Sequence, residues 1–272
     1  MHIHLTDQYR QRESIVHRLD PRTKILVVFS FILAIALTPA GSFVAYGILS
    51  LFLLLAILLA RIELPYIVKR SFIAIPFALA AVTLPFTVPG ETLLTLPVLG
   101  GLTVSLEGTI RFASILIKSW ISVQAAILLV AITPFQDLLW GLRALHVPAT
   151  LVTIVSFAYR YIFVLSDEAL RLMQARTARS AVVDGRRAGG PLLWRGKVTG
   201  RMVGSLMLRS MERSERIYNA MVARGYQGQI QVLNPPHMGW HDFFILAVSL
   251  TIFLVIVIFS RIFPPFSLVM AV

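Results

Sequence analysis

Phe243–Ser260 reads FFILAVSLTIFLVIVIFS, a run of 18 residues without one charged side chain. A helix needs roughly 20 apolar residues, with a range of about 17–25, to cross the hydrocarbon core of a bilayer. Backbone groups there have no water to bond, so such a run folds as a helix. Three more runs fit the same template: Lys24–Thr38, which can extend back to Leu19; Phe43–Ala60; and Ser71–Val88, where Pro76 and Pro85 predict kinks. A fifth, Ile110–Ile132, carries Arg111 and Lys118. With 57% hydrophobic and 14% charged residues, the chain is far from the roughly 25% charge of a soluble domain. The composition argues against a water-soluble enzyme. It predicts an all-α integral membrane protein of about five transmembrane helices.

The charges orient those helices. Lys and Arg number 25 against 13 Asp and Glu, a net charge of +12. Basic residues cluster before the first run, between the second and third, and from Thr133 to Trp240, whereas Pro89–Glu107 has none. Cytoplasmic loops carry the excess of Lys and Arg, so the N-terminus is expected in the cytoplasm and, with five crossings, the C-terminus outside. The first 24 residues mix Asp7, Glu13 and Asp20 with the basic residues and do not read as a secretory signal. The absence of cysteine excludes disulfides, thiolate metal sites and cysteine nucleophiles.

The expected organisation is a membrane domain over 1–132, a cytoplasmic helical insert over 133–240 between the fourth and fifth crossings, and a last crossing in 241–272. The insert is too long for a plain loop. Thr133-Pro134 reads as a cap and first helical position for a short helix to about Leu145. Pro148 opens a second helix over about 149–183. A Gly/Arg break spans 184–191, and a third helix runs from about Lys197 to Arg224, stopped by Gly225. Both long helices carry apolar stripes, the third with Met202, Val203, Leu206, Ile217 and Met221, and crossing each other is the simplest way to bury them.

Several motifs carry chemistry. Gly190-Pro-Leu-Leu-Trp-Arg-Gly196-Lys197 has the look of a phosphate loop but fails its requirements, since Val198 replaces the Mg-binding Ser/Thr and no strand precedes it. No catalytic residue and no nucleotide site is expected in this chain. His2 and His4 have the donors for a transition metal, although a solvated terminus accounts for them better; no metal site is assigned. His237 and His241, beside Trp240, read as an interfacial anchor. Glu107, Arg111, Ser114 and Lys118 share one helical face. Ionisable groups inside a span are functional candidates, and snorkelling to the interface is the competing account. Ala178-Arg179-Ser180 and Ala223-Arg224-Gly225 close the two long basic helices with the same type of tripeptide. An Arg there can satisfy the last carbonyls of its own helix. That explains each motif alone but not the recurrence.

Arg171-Leu-Met-Gln-Ala-Arg-Thr-Ala-Arg179-Ser180, with Ala220-Met-Val-Ala-Arg224-Gly225-Tyr226, resembles the paired coupling signatures of the transmembrane T component of energy-coupling factor (ECF) transporters. The leader His17-Arg-Leu-Asp20-Pro21-Arg22-Thr-Lys24 resembles the N-terminal pattern of the same family. Layout is most similar to the cobalt/nickel branch, the CbiQ-like proteins. The resemblance implies a plasma-membrane importer of transition-metal ions or vitamins. It also implies two ATPase partners that bind ATP and Mg, a substrate-capture S component, and no cofactor on this chain. By that likeness Arg179 and Arg224 dock in the two ATPases; Ser180 stands where Gly is frequent. Glu107, Arg111 and Lys118 are then candidates for contact with the S component or for a role within the membrane.

Other classes fare less well. A stand-alone channel or secondary transporter would use Arg111 and Lys118 as a path, yet no inverted repeat or paired broken helices stand out. An intramembrane enzyme needs convergent acids, bases or metal ligands, and acids in or beside the spans are few. The one-signed charge of an apolar chain suits a bilayer, not nucleic acid. The solute is not written in these residues.

Overall fold

The computed structural model describes residues 9, 10, 12, 14–90, 92–96, 102–179, 191–228 and 236–262. The chain divides into two compact units, Met1–Ala144 with Pro235–Val272, and Leu145–Asn234. Ser180, His2, His4 and most of the 184–191 break lie outside the described residues.

The first unit begins with a single turn, α1 (Ile15–Arg18), then α2 (Pro21–Leu37) and α3 (Phe43–Leu59). Asp20 caps α2 by accepting the Arg22 N–H, and Pro21 supplies its first position, where a missing donor costs nothing. The third apolar run is not one helix. It breaks into α4 (Leu64–Ser71), a 3₁₀ turn (Phe72–Ala74), α5 (Ile75–Ala81) and α6 (Leu84–Thr87). Each break precedes a proline, Pro76 or Pro85, whose ring clashes with the carbonyl of the preceding turn. Leu64–Ala74 and Leu79–Thr87 meet at a bend of 46°.

The helical fold class holds, with one addition absent from the sequence reading. β1 (Thr92–Leu96) and β2 (Leu102–Ser105) pair antiparallel, with Leu94 opposite Val104 and Leu96 opposite Leu102. The unit continues with α7 (Leu106–Ile132) and α8 (Phe135–Ala144), and α11 (Trp240–Ile262) completes it.

α2 sits between α7, α8 and α11. Phe31, Phe52 and Phe253 join α2, α3 and α11 with ring centroids 5.0–6.0 Å apart. The outer faces are apolar, with Phe29 67% and Val44 72% exposed, while Thr23, Thr38, Ser71 and Ser114 are buried. This distribution suits a hydrocarbon surround, where polar groups turn inward and apolar side chains meet lipid.

By length and apolarity, Leu106–Ile132, Ala149–Arg179 and Trp240–Ile262 can each cross a membrane, and the bent pair makes a fourth candidate. The expected count of five is not reached on that test. Pro21–Leu37 and Phe43–Leu59 have 17 residues each, at the short end of a crossing.

Gly108, in the first turn of α7, is set by close approach. A Cβ there would lie 2.5 Å from the Leu84 carbonyl oxygen and 2.8 Å from Pro85 Cα, both backbone. Gly108→Ala is expected to cost about 1–3 kcal/mol, as overpacking does, lowering the melting midpoint in detergent. Gly47→Ala is the control: a Cβ at Gly47 meets nothing within 4 Å. Equal midpoints for the two variants would show that α6 and α7 part without cost.

The second unit is a pair of long helices, α9 (Ala149–Arg179) and α10 (Leu192–Ala223). The sequence expectation that their apolar stripes bury each other needs correction. Thr153 is the one buried residue of α9, and no described residue of α10 is buried. Val203, Met207 and Leu208 stay about 60% exposed.

Candidate coupling site

α9 and α10 run antiparallel. Arg176 Nη1 on α9 donates to Thr199 Oγ1 on α10 at 3.0 Å, and further back along α9 Arg209 Nη1 donates to Glu168 Oε1 at 2.7 Å. Nearer the start of α9, Ile154, Phe157 and Tyr161 face Ile217, Tyr218 and Met221 across an apolar groove of about 510 Å³. Numbers rise on one helix as they fall on the other. Arg179 and Arg224, each at the C-terminal end of its helix, therefore stand at opposite ends of the pair.

Ala178, Arg179, Ala223, Arg224 and Gly225 are all exposed. The end of α10 explains why Gly is required. Gly225 has φ +82°, in the left-handed region. Its N–H bonds the Val222 carbonyl at 2.9 Å, and the Tyr226 N–H bonds that of Met221 at 3.0 Å. This is the Schellman arrangement. It satisfies the last carbonyls with backbone donors, so the Arg224 guanidinium is not needed for them. Among the described residues, no side-chain hydrogen bond or ion pair holds either Arg179 or Arg224.

The apparent phosphate loop is not a loop. Gly196 and Lys197 lie inside α10, which begins at Leu192.

In the first unit, the polar face of α7 splits. Arg111 is exposed and Glu107 half-buried beside Gly90. Glu107 lies in the first turn of α7, where a carboxylate complements the helix dipole. Ser114 and Lys118 turn inward instead. Ser114 Oγ accepts the Gly41 N–H at 2.8 Å, and the Lys118 ammonium donates to the Thr38 carbonyl and faces the Tyr46 ring. Arg261 donates to the Leu37 carbonyl at 3.4 Å. Two cations thus meet the carbonyl end of α2, where the dipole favours them. Lys118 is a latch on the α2–α3 turn.

One cluster went unnoticed in the sequence. The Asp242 carboxylate accepts the Asp20 N–H through Oδ1 and the Gly239 N–H through Oδ2, both at 2.9 Å. Lys24 Nζ donates to the His17 carbonyl at 2.8 Å, and the Arg22 guanidinium lies over the Trp140 ring. Asp20, Lys24 and Asp242 are all buried. Burial pushes the Asp137 carboxyl up, partly offset by Lys24. Burial pushes the His17 imidazole down; its hydrogen bond to the Arg10 carbonyl opposes the shift, and Lys24 adds to it. The knot joins the starts of α2 and α11 near the end of α7. The leader motif pointed to Asp20 and Lys24, but no pattern links them to Asp242. Among the described residues no three His, Asp or Glu gather to hold a metal ion.

Comparison with known proteins gives a consistent picture. Residues 12–234 match the family described as "Cobalt transport protein", CbiQ. The chain is 32% identical to an energy-coupling factor transporter transmembrane protein EcfT of Brevibacillus brevis, over 92% of this chain and 95% of that one. It is 30% identical to the cobalt transport protein CbiQ of Rhodobacter capsulatus, over 49% of this chain and 52% of that one. It is also 30% identical to the nickel permease LarQ of Lactiplantibacillus plantarum, over 46% and 43%. The chain thus spans about half the length of the last two relatives.

Proposed function

The chain belongs to the CbiQ family of cobalt transport proteins, and we propose from that premise that it is the T component of an ECF-type importer. In that role it links two ATPase subunits to a substrate-capture S component and carries no nucleotide or metal site of its own. The observation that carries the reading is the pair of exposed arginines at opposite ends of α9 and α10. A planar guanidinium with five donors suits a carboxylate or carbonyl cluster on a partner. Two such groups some tens of ångströms apart suit two separate subunits better than one.

The N-terminus lies in the cytoplasm on this reading, with five crossings of the plasma membrane and residues 145–234 forming the cytoplasmic coupling module. The solute is a transition-metal ion, cobalt or nickel, in keeping with the family description and the names of two relatives. The relative matched almost end to end bears the general ECF name, so a vitamin is the alternative cargo.

Co-expression with candidate ATPase and S subunits tests the reading. The purified chain alone is expected to hydrolyse no ATP. With its partners it is expected to co-purify in detergent and to drive ATP-dependent uptake of labelled Co²⁺ or Ni²⁺ into vesicles. Hydrolysis by the chain free of other subunits would refute the coupling role. Uptake of a vitamin but neither metal would keep the role and replace the cargo. A reporter fused after Val272 is expected outside; a cytoplasmic signal would mean that one crossing is misassigned.

A further inference from the structure

α9 and α10 have 31 and 32 residues, yet bury one side chain between them among those described. A pair held by a core takes its register from interlocking apolar side chains. This pair lacks such a core, so register must come from the few directional contacts present.

The strongest centres on Glu168. Arg209 Nη1 lies 2.7 Å from Glu168 Oε1, and Arg213 Nη2 lies 4.0 Å from Oε2. Arg209 and Arg213 are one turn apart on α10, so Arg209 hydrogen-bonds one oxygen of the carboxylate while Arg213 stands at ion-pair distance from the other. The Glu168 side chain is 22% exposed, against 58% and 38% for the two arginines, so the acid is the least solvated member. Exposed ion pairs add little to stability. A charge-assisted hydrogen bond backed by a second cation one turn away, however, favours one position along and around both helices.

We propose that Glu168 is the positioning residue that sets the register of α9 against α10, and that it serves as the pivot between the two arginine ends. The functional half of this inference rests on the coupling role proposed above; the register half does not. At 1.5 Å per residue, Arg179 stands about 16 Å beyond Glu168 along α9, and Arg224 about 22 Å beyond Arg209 along α10, in opposite directions. A slip or tilt at Glu168 therefore displaces both ends at once. Arg176–Thr199 is a second tie, 3.0 Å long, on the Arg179 side only. On the Arg224 side the helices enclose the apolar groove, lined mostly by apolar side chains and hydroxyls together with Arg213 itself. That side depends on Glu168 more heavily.

The chain has no cysteine, so spin labels can be placed at Gln174→Cys on α9 and Gln227→Cys just beyond α10, both exposed in the native chain. Pulsed EPR on the full chain in nanodiscs is expected to give one narrow distance distribution. Glu168→Gln, nearly isosteric, should broaden it, and Glu168→Lys more so. The charge swap Glu168→Arg with R209E and R213E should narrow it again. In the assembled importer, Co²⁺ uptake per ATP hydrolysed is expected to fall roughly 5- to 30-fold for Glu168→Lys, that is by about 1–2 kcal/mol at 1.4 kcal/mol per decade. The swap should recover most of this loss. An unchanged distribution in both single variants overturns the proposal. A broadened distribution with uptake per ATP unchanged upholds Glu168 as the register residue and overturns its role as a pivot, while loss of ATPase co-purification in the parent chain would instead refute the coupling role on which the pivot rests.

Discussion

Arg179→Glu and Arg224→Glu are each expected to strip one ATPase subunit from the importer and to abolish uptake, with the chain still inserted and folded. Both guanidiniums are exposed and stand at helix ends, so the folded chain loses no internal contact. Truncating one side of a desolvated charged contact costs about 2–5 kcal/mol. That corresponds to about 30- to several-thousand-fold in affinity, and reversing the sign costs more. Because the two ends are distinct, the double variant should release both subunits where each single variant releases one. Arg201→Glu makes the same charge change at another exposed position of α10 and should retain both subunits. Measurement is ATPase co-purification and uptake for the three positions together. If Arg201→Glu matches the other two, bulk positive charge holds the complex and the two placed contacts do not exist.

Asp242→Ala is expected to produce the largest loss of stability among the single changes considered. One carboxylate satisfies two backbone donors, the Asp20 and Gly239 N–H groups, on segments 222 residues apart in the first case. The Asp20 N–H left buried without a partner costs about 1–3 kcal/mol, and the part-buried Gly239 N–H adds less. Removing the charge also takes away one of the acids that face Lys24. The melting midpoint in detergent should fall by roughly 5–10 °C, taking about 2–4 °C per kcal/mol for a chain of this size. Asp242→Asn keeps one carbonyl acceptor but turns an amide NH₂ toward the second donor, so an intermediate loss is expected. An Asp242→Ala midpoint within a degree of the parent would mean that the α2 and α11 starts are held by packing alone. Inserted protein with normal ATPase binding but a low midpoint separates this effect from that of Arg179 and Arg224.

Much of the fold was legible because membrane insertion writes itself into composition. An apolar run of 18 residues, Phe243–Ser260, has one solution in a bilayer, and the structure extends it only to Trp240–Ile262. Caps are local in the same way: Asp20-Pro21 starts α2 and Gly225 stops α10 because the chemistry acts within one turn. The family likeness was carried by short motifs of the same kind.

The sequence by itself therefore determined the helical membrane class, the main helix boundaries, the predominantly positive charge and the two Ala-Arg ends, all properties set within a window of a few turns. The tertiary structure alone decided how those windows meet. It broke the third run at Phe72–Ala74 and before Leu84, paired Thr92–Leu96 with Leu102–Ser105, and set Lys118 against the Thr38 carbonyl. It brought Asp242 to Asp20, and it set α9 and α10 antiparallel so that Arg179 and Arg224 point to opposite ends. The reason is physical. Propensity and capping act on neighbours in the chain, whereas a buried carboxylate or ammonium takes whichever donor or acceptor packing brings within about 3 Å. No periodicity in the sequence records a partner 222 residues away.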